Sequence, residues 1–316
     1  MGMLVEGNWE VAPIAKSDAK GHFVRPDAQF RDWITQSGES GFKAEANRYH
    51  LYVSYACPWA SRALIFRSIK GLKDIISFST VEPLMLENGW EFGESGNDTE
   101  DPILHTKYLY ENYQKAEANY SGKVTVPVLW DKKKNMIVNN ESSEIIRMLN
   151  SEFNEFTNKK EDYYPQTLRE EINQINEFIY HTINNGVYKC GFASSQEAYN
   201  ESFDALFSAL DTIERRLAKN RYLVGVLLTE ADWRLFTTLI RFDVVYYTHF
   251  KCNLRRIEDY PNLSNYLREL YQFPGIKETV NFYHIKKHYY GSHRMINPSG
   301  IIPKGPAIDY DRPFVR

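Results

Sequence analysis

Hydrophobic and polar residues follow one pattern up to about residue 150 and another pattern after it. Residues 48–55 form an extended, largely apolar run, a helical run follows at 57–71, and 75–81 alternates in polarity and is rich in β-branched residues. This order predicts two parallel strands joined by a right-handed helical crossover.

The elements that follow extend this β–α–β beginning. They are a polar insertion at 82–104, a helix at 105–119, a hairpin formed by 124–130 and 136–138, and a helix at 141–150. The insertion includes Gly96 and Asn97 and separates the second strand from the second helix. The resulting order, β-α-β-α-β-β-α, predicts a thioredoxin-like α/β domain.

The second half changes to a period of 3.6 residues, which is typical of helices. Helices are predicted at 166–184, 195–219, 229–247, 261–272 and 274–282. Thr229 and Asp232 form a capping box at the start of one of them. No strand-like alternation separates these helices, so this half is predicted to be an all-helical domain.

The two ends of the chain are predicted to be irregular. Residues 1–47 show little periodicity apart from a possible short helix at 29–34, and from about His284 a tail rich in Pro and Gly is expected to lie over the surface. The predicted organisation is an N-terminal extension (1–47), a thioredoxin-like domain (48–150), a linker (151–164) and an all-helical domain with a C-terminal tail (165–316).

Composition narrows the functional classes. The 316 residues carry a net charge of −3, which gives no basic footprint for nucleic acid. No apolar segment reaches the roughly 18 residues that a membrane span needs, and no signal peptide is evident. Three scattered cysteines do not suggest a disulfide framework, so we expect a cytoplasmic protein. No nucleotide-binding or metal-binding motif is present, so neither a nucleotide nor a metal is expected.

Cys57 is the strongest candidate for a reactive residue. It lies where the first strand gives way to a helix, followed by Pro58, so the helix dipole and unpaired backbone N–H groups favour the thiolate over the thiol. Ala60 stands where a second cysteine would complete Cys-x-x-Cys, so an outside thiol such as glutathione must resolve any disulfide. The alternative is a buried cysteine before an ordinary helix.

Pro127 and the pair Glu141–Ser142 are candidates for holding a peptide ligand. A cis Pro127 would expose the backbone of Val126 for strand-like pairing with glutathione; the alternative is an edge-strand proline. Ser142 and the helix N–H groups suit a carboxylate, and Glu141 suits an ammonium, although helix starts favour these residue types anyway.

Tyrosines are frequent in the helical half. They include Tyr188, Tyr246 and Tyr289. One or two phenols could donate hydrogen bonds to the Cys57 thiolate and exchange a proton with a phenolic substrate. For any single tyrosine, core packing is the alternative. Cys190 and Cys252 have no helix-start setting and are expected to be inert.

With these residues in hand, the chain resembles the glutathione transferases, and more narrowly their xi class, the glutathionyl-hydroquinone reductases. The resemblance covers nearly the whole length. Its motifs are Cys57-Pro-Trp-Ala60, Pro83–Trp90, Ser121–Asp131, Asn140-Glu-Ser142, Asn184–Lys189, Leu228–Asp232, Arg241-Phe-Asp243 and Thr248–Cys252.

The resemblance implies a glutathione transferase fold and a role for each matching residue. Cys57 would be the nucleophile and Tyr188 the acid/base tyrosine, while Tyr246 and Tyr289 would lower the pKa of the cysteine. The residues implied to contact glutathione are Trp90, Lys123, Val124, Thr125, Val126, Pro127, Glu141 and Ser142. A homodimer is also implied.

Two residues depart from the family pattern. Ser61 stands where His is common, and Lys123 where Arg is usual, which replaces a bidentate grip on a carboxylate by a single contact. The second departure bears on glutathione affinity.

The resemblance implies glutathione as the co-substrate and a glutathionyl-hydroquinone as the substrate. The alternatives are an omega-like thiol transferase or dehydroascorbate reductase, and a noncatalytic interaction protein of the same fold.

Overall fold

The computed structural model describes residues 1–13, 15–93 and 99–315, so Gly96 and Asn97 of the insertion lie outside the described residues. The chain divides into two units, each built from more than one stretch of sequence. The first unit comprises residues 1–14, 26–161 and 278–292, and the second comprises 15–25, 162–277 and 293–316. The domain boundaries after residues 47, 150 and 164 stay predictions.

The described strands are short. They are β1 (Gly2–Val5), β2 (Asn8–Val11), β3 (Lys16–Ser17), β4 (Phe23–Val24), β5 (Ile34–Thr35), β6 (Phe42–Lys43), β7 (Tyr49–Val53), β8 (Ser77–Thr80), β9 (Met85–Leu86), β10 (Gly89–Trp90), β11 (Val128–Asp131) and β12 (Met136–Asn139).

The described α-helices are α1 (Pro58–Ile69), α2 (Leu109–Ala116), α3 (Ser142–Ser151), α4 (Arg169–Ile179), α5 (Gly186–Gly191), α6 (Gln196–Leu217), α7 (Glu230–Arg241), α8 (Tyr247–His249), α9 (Pro261–Tyr271) and α10 (Phe282–Ser292). Two π-helical turns, Tyr180–Asn184 and Phe242–Tyr246, follow α4 and α7.

A four-stranded mixed sheet forms the centre of the first unit. Its order is β12-β11-β7-β8, with β7 parallel to β8 and antiparallel to β11. The predicted parallel pair and hairpin are therefore confirmed. The run predicted at 124–130 enters the sheet only at Val128, because Pro127 has no N–H to donate to the ladder.

Strand β7 is buried along its whole length, and polar contacts at and just before it reach both neighbouring strands. Arg48 precedes it and pairs with the buried carboxylate of Asp131, at 2.5 Å between Nη2 and Oδ2. The ring of His50 lies 2.8 Å and 3.0 Å from the hydroxyls of Ser77 and Ser79. Burial lowers the pKa of His50 to about 3, so this imidazole is neutral in the folded protein.

The N-terminal stretch is more regular than predicted. Residues 2–11 form an antiparallel hairpin, and the helix predicted at 29–34 is wrong. The backbone of Arg31 instead forms an isolated antiparallel β-bridge with Asn139 at the edge of the sheet, and the N–H of Asn140 donates to the carbonyl of Phe30. Pairing with an exposed sheet edge holds this segment extended, which local periodicity does not reveal.

The predicted helices of the second half are confirmed at 166–184, 195–219, 229–247 and 261–272, with the first and third ending in π-helical turns. The capping box is also confirmed, since the N–H of Thr229 donates to Asp232 at 2.8 Å. No helix among residues 1–13, 15–93 and 99–315 is both long and apolar enough to cross a bilayer.

Two predictions near the C-terminus are wrong. In place of the helix predicted at 274–282 there is a short 3₁₀ turn, Lys277–Thr279, and α10 begins only at Phe282. Helix α10 then occupies residues that were expected to begin a surface tail. Helix α10 buries Ile285, Tyr289 and Tyr290 and belongs to the first unit. Buried apolar and aromatic side chains stabilise a helix whose mixed polar and aromatic sequence shows little periodicity.

Candidate functional site

Cys57 occupies the N-cap of helix α1, with Pro58 in the first helical position. Its side chain is half-buried, and its thiol donates to the carbonyl of Val126 across 3.5 Å. Ser61, the residue at one departure from the family pattern, donates its hydroxyl to the Cys57 carbonyl at 3.1 Å. The sulfur therefore lies at the positive end of a helix and faces the segment before Pro127.

The segment from Lys123 to Pro127 is held by tyrosines from outside it. The peptide bond between Val126 and Pro127 is cis, as expected. Tyr113 of α2 donates to the Thr125 carbonyl at 2.8 Å and accepts from the Thr125 N–H at 3.2 Å. Burial raises the pKa of Tyr113, so its hydroxyl keeps its proton and both hydrogen bonds. Val124, between Lys123 and Thr125, lies in the same stretch, which belongs to no helix or strand.

Lys123 contacts a part of the chain that the sequence did not associate with it. Its ammonium group donates to the carbonyl of Pro13 at 2.8 Å, in the stretch that follows the N-terminal hairpin. A second backbone contact of this region joins Leu4 and Gly122, which exchange two hydrogen bonds of 2.9 Å. The N-terminal hairpin thus braces the segment that leads to Val126.

Helix α3 begins with Glu141 as its N-cap. The Glu141 carboxylate accepts the N–H of Ser143 at 2.9 Å. The N–H of Ser142 has no hydrogen-bond partner within the described part of the chain. The buried Ser142 therefore presents both an N–H and a hydroxyl at the positive end of the helix, a combination suited to a carboxylate.

Trp90 ends a small hairpin and is stacked on a histidine of helix α10. The ring centroids of Trp90 and His288 are 4.9 Å apart with planes inclined by 19°. The Nδ1 of His288 lies 3.0 Å from the Pro83 carbonyl, so Nδ1 carries the proton and donates it there. Gly89, at a φ of +74°, lies so close to Trp9 that an added Cβ would approach its ring within 2.7 Å. His288 thus packs against the Trp90 ring, and Trp9 packs against the backbone of the preceding Gly89.

The three predicted tyrosines are divided between the units. Tyr289 lies in α10 of the first unit, the unit that holds Cys57, with its ring centroid 5.1 Å from that of His288. Tyr188 and Tyr246 lie together in the second unit, with centroids 6.0 Å apart. All three are buried, so each contributes to packing whatever else it does.

Tyr246 belongs to a π-helical turn, and Tyr188 lies in the helix that follows the other one. Tyr246 ends one turn, and Tyr188 follows the other by four residues. Asn184 joins the two regions by donating to the hydroxyl of Thr238 at 2.7 Å. The guanidinium of Arg25 lies 4.8 Å from the centroid of Tyr188. Such π-helical turns are frequent at functional sites, because they shift side chains out of the regular helical register.

The other two cysteines differ from Cys57. Cys190 and Cys252 are both buried in the second unit. Burial, and then contact with the Cys190 thiol, raises the pKa of the Cys252 thiol well above its ordinary value. A buried neutral thiol is a poor nucleophile, which is consistent with the expectation that Cys252 is inert.

Sequence patterns did not reveal Tyr113, His288, Arg25 or Arg62, although each contacts a predicted site residue. Arg62 left one signal, a charged residue inside the otherwise apolar part of helix α1. The described residues contain no group of three or more His, Cys, Asp and Glu side chains that could hold a metal ion.

Family models match both halves of the chain. The glutathione S-transferase N-terminal domain matches residues 56–152, and the glutathione S-transferase C-terminal domain matches residues 196–269. The first match includes Cys57, Trp90, Val126 and Ser142.

The chain is also similar over its whole length to characterised proteins. It is 53% identical to the glutathionyl-hydroquinone reductase YqjG of Escherichia coli, over 100% of this chain and 98% of that protein. It is 50% identical to the glutathionyl-hydroquinone reductase PcpF of Sphingobium chlorophenolicum, over 97% of both.

Two solved structures are similar to this fold. The glutathione-bound structure of YqjG superposes with a TM-score of 0.91 at 52% identity, covering 99% of this chain and 98% of that one. The xi-class transferase from Natrialba magadii superposes with a TM-score of 0.91 at 47% identity, covering 99% of this chain and 95% of that one.

Proposed function

This chain belongs to the glutathione S-transferase family, in its xi class, and from that membership we propose that it uses glutathione to reduce glutathionyl-hydroquinones to hydroquinones. The observation that carries the proposal is the setting of Cys57. Its half-buried sulfur lies at the start of helix α1, and Ala60 leaves no neighbouring cysteine to close an internal disulfide. Such a sulfur forms a mixed disulfide that only an external thiol resolves.

The first step transfers the glutathionyl group to the protein. The Cys57 thiolate attacks the sulfur of the glutathionyl-hydroquinone, so an S–S bond forms and the bond between sulfur and the aromatic carbon breaks. The bonding electron pair stays on the ring carbon, which takes a proton from Tyr188. The products are free hydroquinone and a Cys57–glutathione disulfide.

The second step restores the enzyme. The thiolate of a second glutathione attacks the mixed disulfide at the glutathione sulfur, which releases oxidised glutathione and the Cys57 thiolate. Over both steps, one glutathionyl-hydroquinone and one glutathione give one hydroquinone and one oxidised glutathione. The hydroquinone carbon is reduced and the two glutathione sulfurs are oxidised.

Binding of glutathione uses groups from three elements of the first unit. The backbone of Val126 would pair with the cysteinyl residue of glutathione, and Glu141 and Ser142 would meet the ammonium and carboxylate of its γ-glutamyl end. The side chain of Trp90 would contact glutathione from one side of this binding site. Lys123 and its neighbours Val124, Thr125 and Pro127 shape the segment that presents Val126. Tyr246 and Tyr289 would stabilise the thiolate.

The proposal also includes a homodimer in the cytoplasm. The three cysteines are all free thiols in the described structure, which suits a reducing compartment. Sedimentation at micromolar concentration is expected to give twice the chain mass of 37.0 kDa.

Turnover assays test the proposed activity. The protein is expected to release hydroquinone and oxidised glutathione in equal amounts from glutathionyl-benzohydroquinone and glutathione. Dehydroascorbate and a plain electrophilic substrate for conjugation serve as comparison substrates. Efficient reduction of dehydroascorbate with no release of hydroquinone would instead indicate an omega-like thiol transferase, and binding without turnover of any substrate would indicate an interaction protein.

A further inference from the structure

Arg62 is a charged residue in the interior of the first unit. Its side chain is 1% exposed and lies on helix α1, five residues after Cys57. The guanidinium carbon is 4.5 Å from the ring centroid of Trp59, and Nη1 donates to the hydroxyl of Ser142 at 3.3 Å. A buried guanidinium carries a large desolvation cost, so the polar contacts that it makes are energetically important.

We propose that Arg62 is a positioning residue that selects the γ-glutamyl α-carboxylate of glutathione by orienting the hydroxyl of Ser142. This inference rests on the proposed function, since it concerns how the same site recognises its co-substrate. The juxtaposition of the Arg62 guanidinium, the Ser142 hydroxyl and the start of α3 carries it.

The direction of the hydrogen bond decides the role of Ser142. A guanidinium only donates, so the Ser142 oxygen accepts from Arg62 and keeps its own proton for another acceptor. The Ser142 N–H, at the first position of α3, has no partner within the described residues. Two donors of one residue therefore point to an acceptor outside the protein, and a carboxylate has two oxygens to accept them.

The charge of Arg62 adds to this arrangement. Glu141 already satisfies the N–H of Ser143, so it also brings a negative charge close to the helix start. A second carboxylate from a ligand would be repelled there unless a positive charge compensates. The guanidinium behind Ser142 supplies that charge from the interior, where solvent and salt screen it little.

Arg62 also connects the two helices that the proposed mechanism depends on. Helix α1 begins at the Cys57 cap, and α3 begins at the Glu141 cap. The planar guanidinium reaches Ser142 while stacking on Trp59, a geometry that lysine does not reproduce. The position of the glutathione carboxylate is thereby set relative to the helix that carries the nucleophile.

Calorimetric titration with two non-reactive ligands tests the inference. The ligands are S-methylglutathione and its analogue in which γ-aminobutyrate replaces the γ-glutamyl residue, so that only the α-carboxylate is missing. Arg62→Met is expected to weaken binding of S-methylglutathione about tenfold and to leave binding of the analogue unchanged. The ratio of the dissociation constant for the analogue to that for S-methylglutathione therefore falls about tenfold.

Four further variants separate positioning from folding. Arg62→Lys, which keeps the charge, is expected to lower this ratio about threefold. Ser142→Ala is expected to lower the ratio as much as Arg62→Met does. The double variant is expected to lower it no further than either single variant. Arg67→Met removes an arginine of the same helix that donates to the carbonyls of Ile76 and Lys73 and is expected to leave the ratio unchanged.

The outcomes distinguish this inference from the proposed function. The role of Arg62 would be overturned if its variants bound both ligands equally more weakly, or bound both as tightly as the wild type. The proposed function would still stand in that case, provided that the wild-type protein binds S-methylglutathione and turns over its substrate. A wild-type protein that binds neither ligand and releases no hydroquinone would overturn the proposed function itself.

Discussion

Two cysteine regions of the molecule differ in what surrounds the sulfur. In the first unit, Cys57 is half-buried at the start of a helix and faces a backbone carbonyl. In the second unit, Cys252 is fully buried beside Cys190, and burial raises the pKa of its thiol. Because only the thiolate is a strong nucleophile, identical side chains are expected to differ in reactivity through their backbone setting and exposure alone.

The same contrast extends to how each region responds to pH. The sheet that supports Cys57 buries a base, His50, whose pKa is lowered to about 3. The region around Cys252 buries an acid whose pKa is raised. Both groups are neutral when folded, so acid is expected to destabilise the fold through the first region and alkali through the second.

The largest expected difference concerns turnover. Cys57→Ser is expected to lower kcat at least about a thousandfold, because a hydroxyl does not form the mixed disulfide. Cys252→Ala, at a thiol that is buried and neutral, is expected to keep kcat within about twofold of the wild-type value. Hydroquinone release under saturating glutathione measures both variants. A Cys57→Ser protein with wild-type turnover would break the comparison.

The next largest effect concerns stability in acid. Between pH 6.5 and pH 5, the unfolded chain binds a proton at His50 that the folded chain excludes, so stability falls as the pH decreases. The wild-type protein is expected to lose about 2 kcal/mol over this interval relative to His50→Gln. Urea unfolding at several pH values gives the difference. His181→Gln removes an exposed histidine as a control, and it is expected to follow the wild-type profile.

The smallest effect concerns stability in alkali. The unfolded Cys252 thiol ionises near its ordinary value of 9.0, whereas the buried thiol stays protonated. Its contribution to stability is therefore present below pH 9 and is lost as the pH rises further. From pH 9 to pH 10, the wild-type protein is expected to lose about 1 kcal/mol more than Cys252→Ala. Free energies of unfolding that change equally with pH in the two proteins would contradict the burial of a neutral thiol.

Sequence patterns predicted the region around Cys57 well because its signals are local. A strand followed by Cys57 and Pro58 defines a helix start within a few residues. The parallel pair follows from the helix between two strand-like runs. The elements that were missed depend on distant partners. The segment near Arg31 pairs with β12 more than a hundred residues away, and α10 is stabilised by aromatic residues buried in the first unit.

The candidate site was predictable to a similar extent. Val126 and Ser142 stand beside recognisable signals, a proline before a strand and a helix start. Tyr113 has no such signal, and Arg62 has only its charge within helix α1. Their partners Thr125 and Ser142 come from other elements. Contacts of this kind become visible only when helices α1 and α3, or α2 and the segment before β11, are placed in space.

The most direct test of the account locates the disulfide that Cys57 forms. The folded protein is treated with oxidised glutathione, digested without reduction and analysed by mass spectrometry. One glutathione is expected on the peptide that contains Cys57, removable by added glutathione, while Cys190 and Cys252 remain free thiols. An adduct that forms first at Cys190 or Cys252, or no adduct on any cysteine, would contradict the claim that Cys57 is the nucleophile.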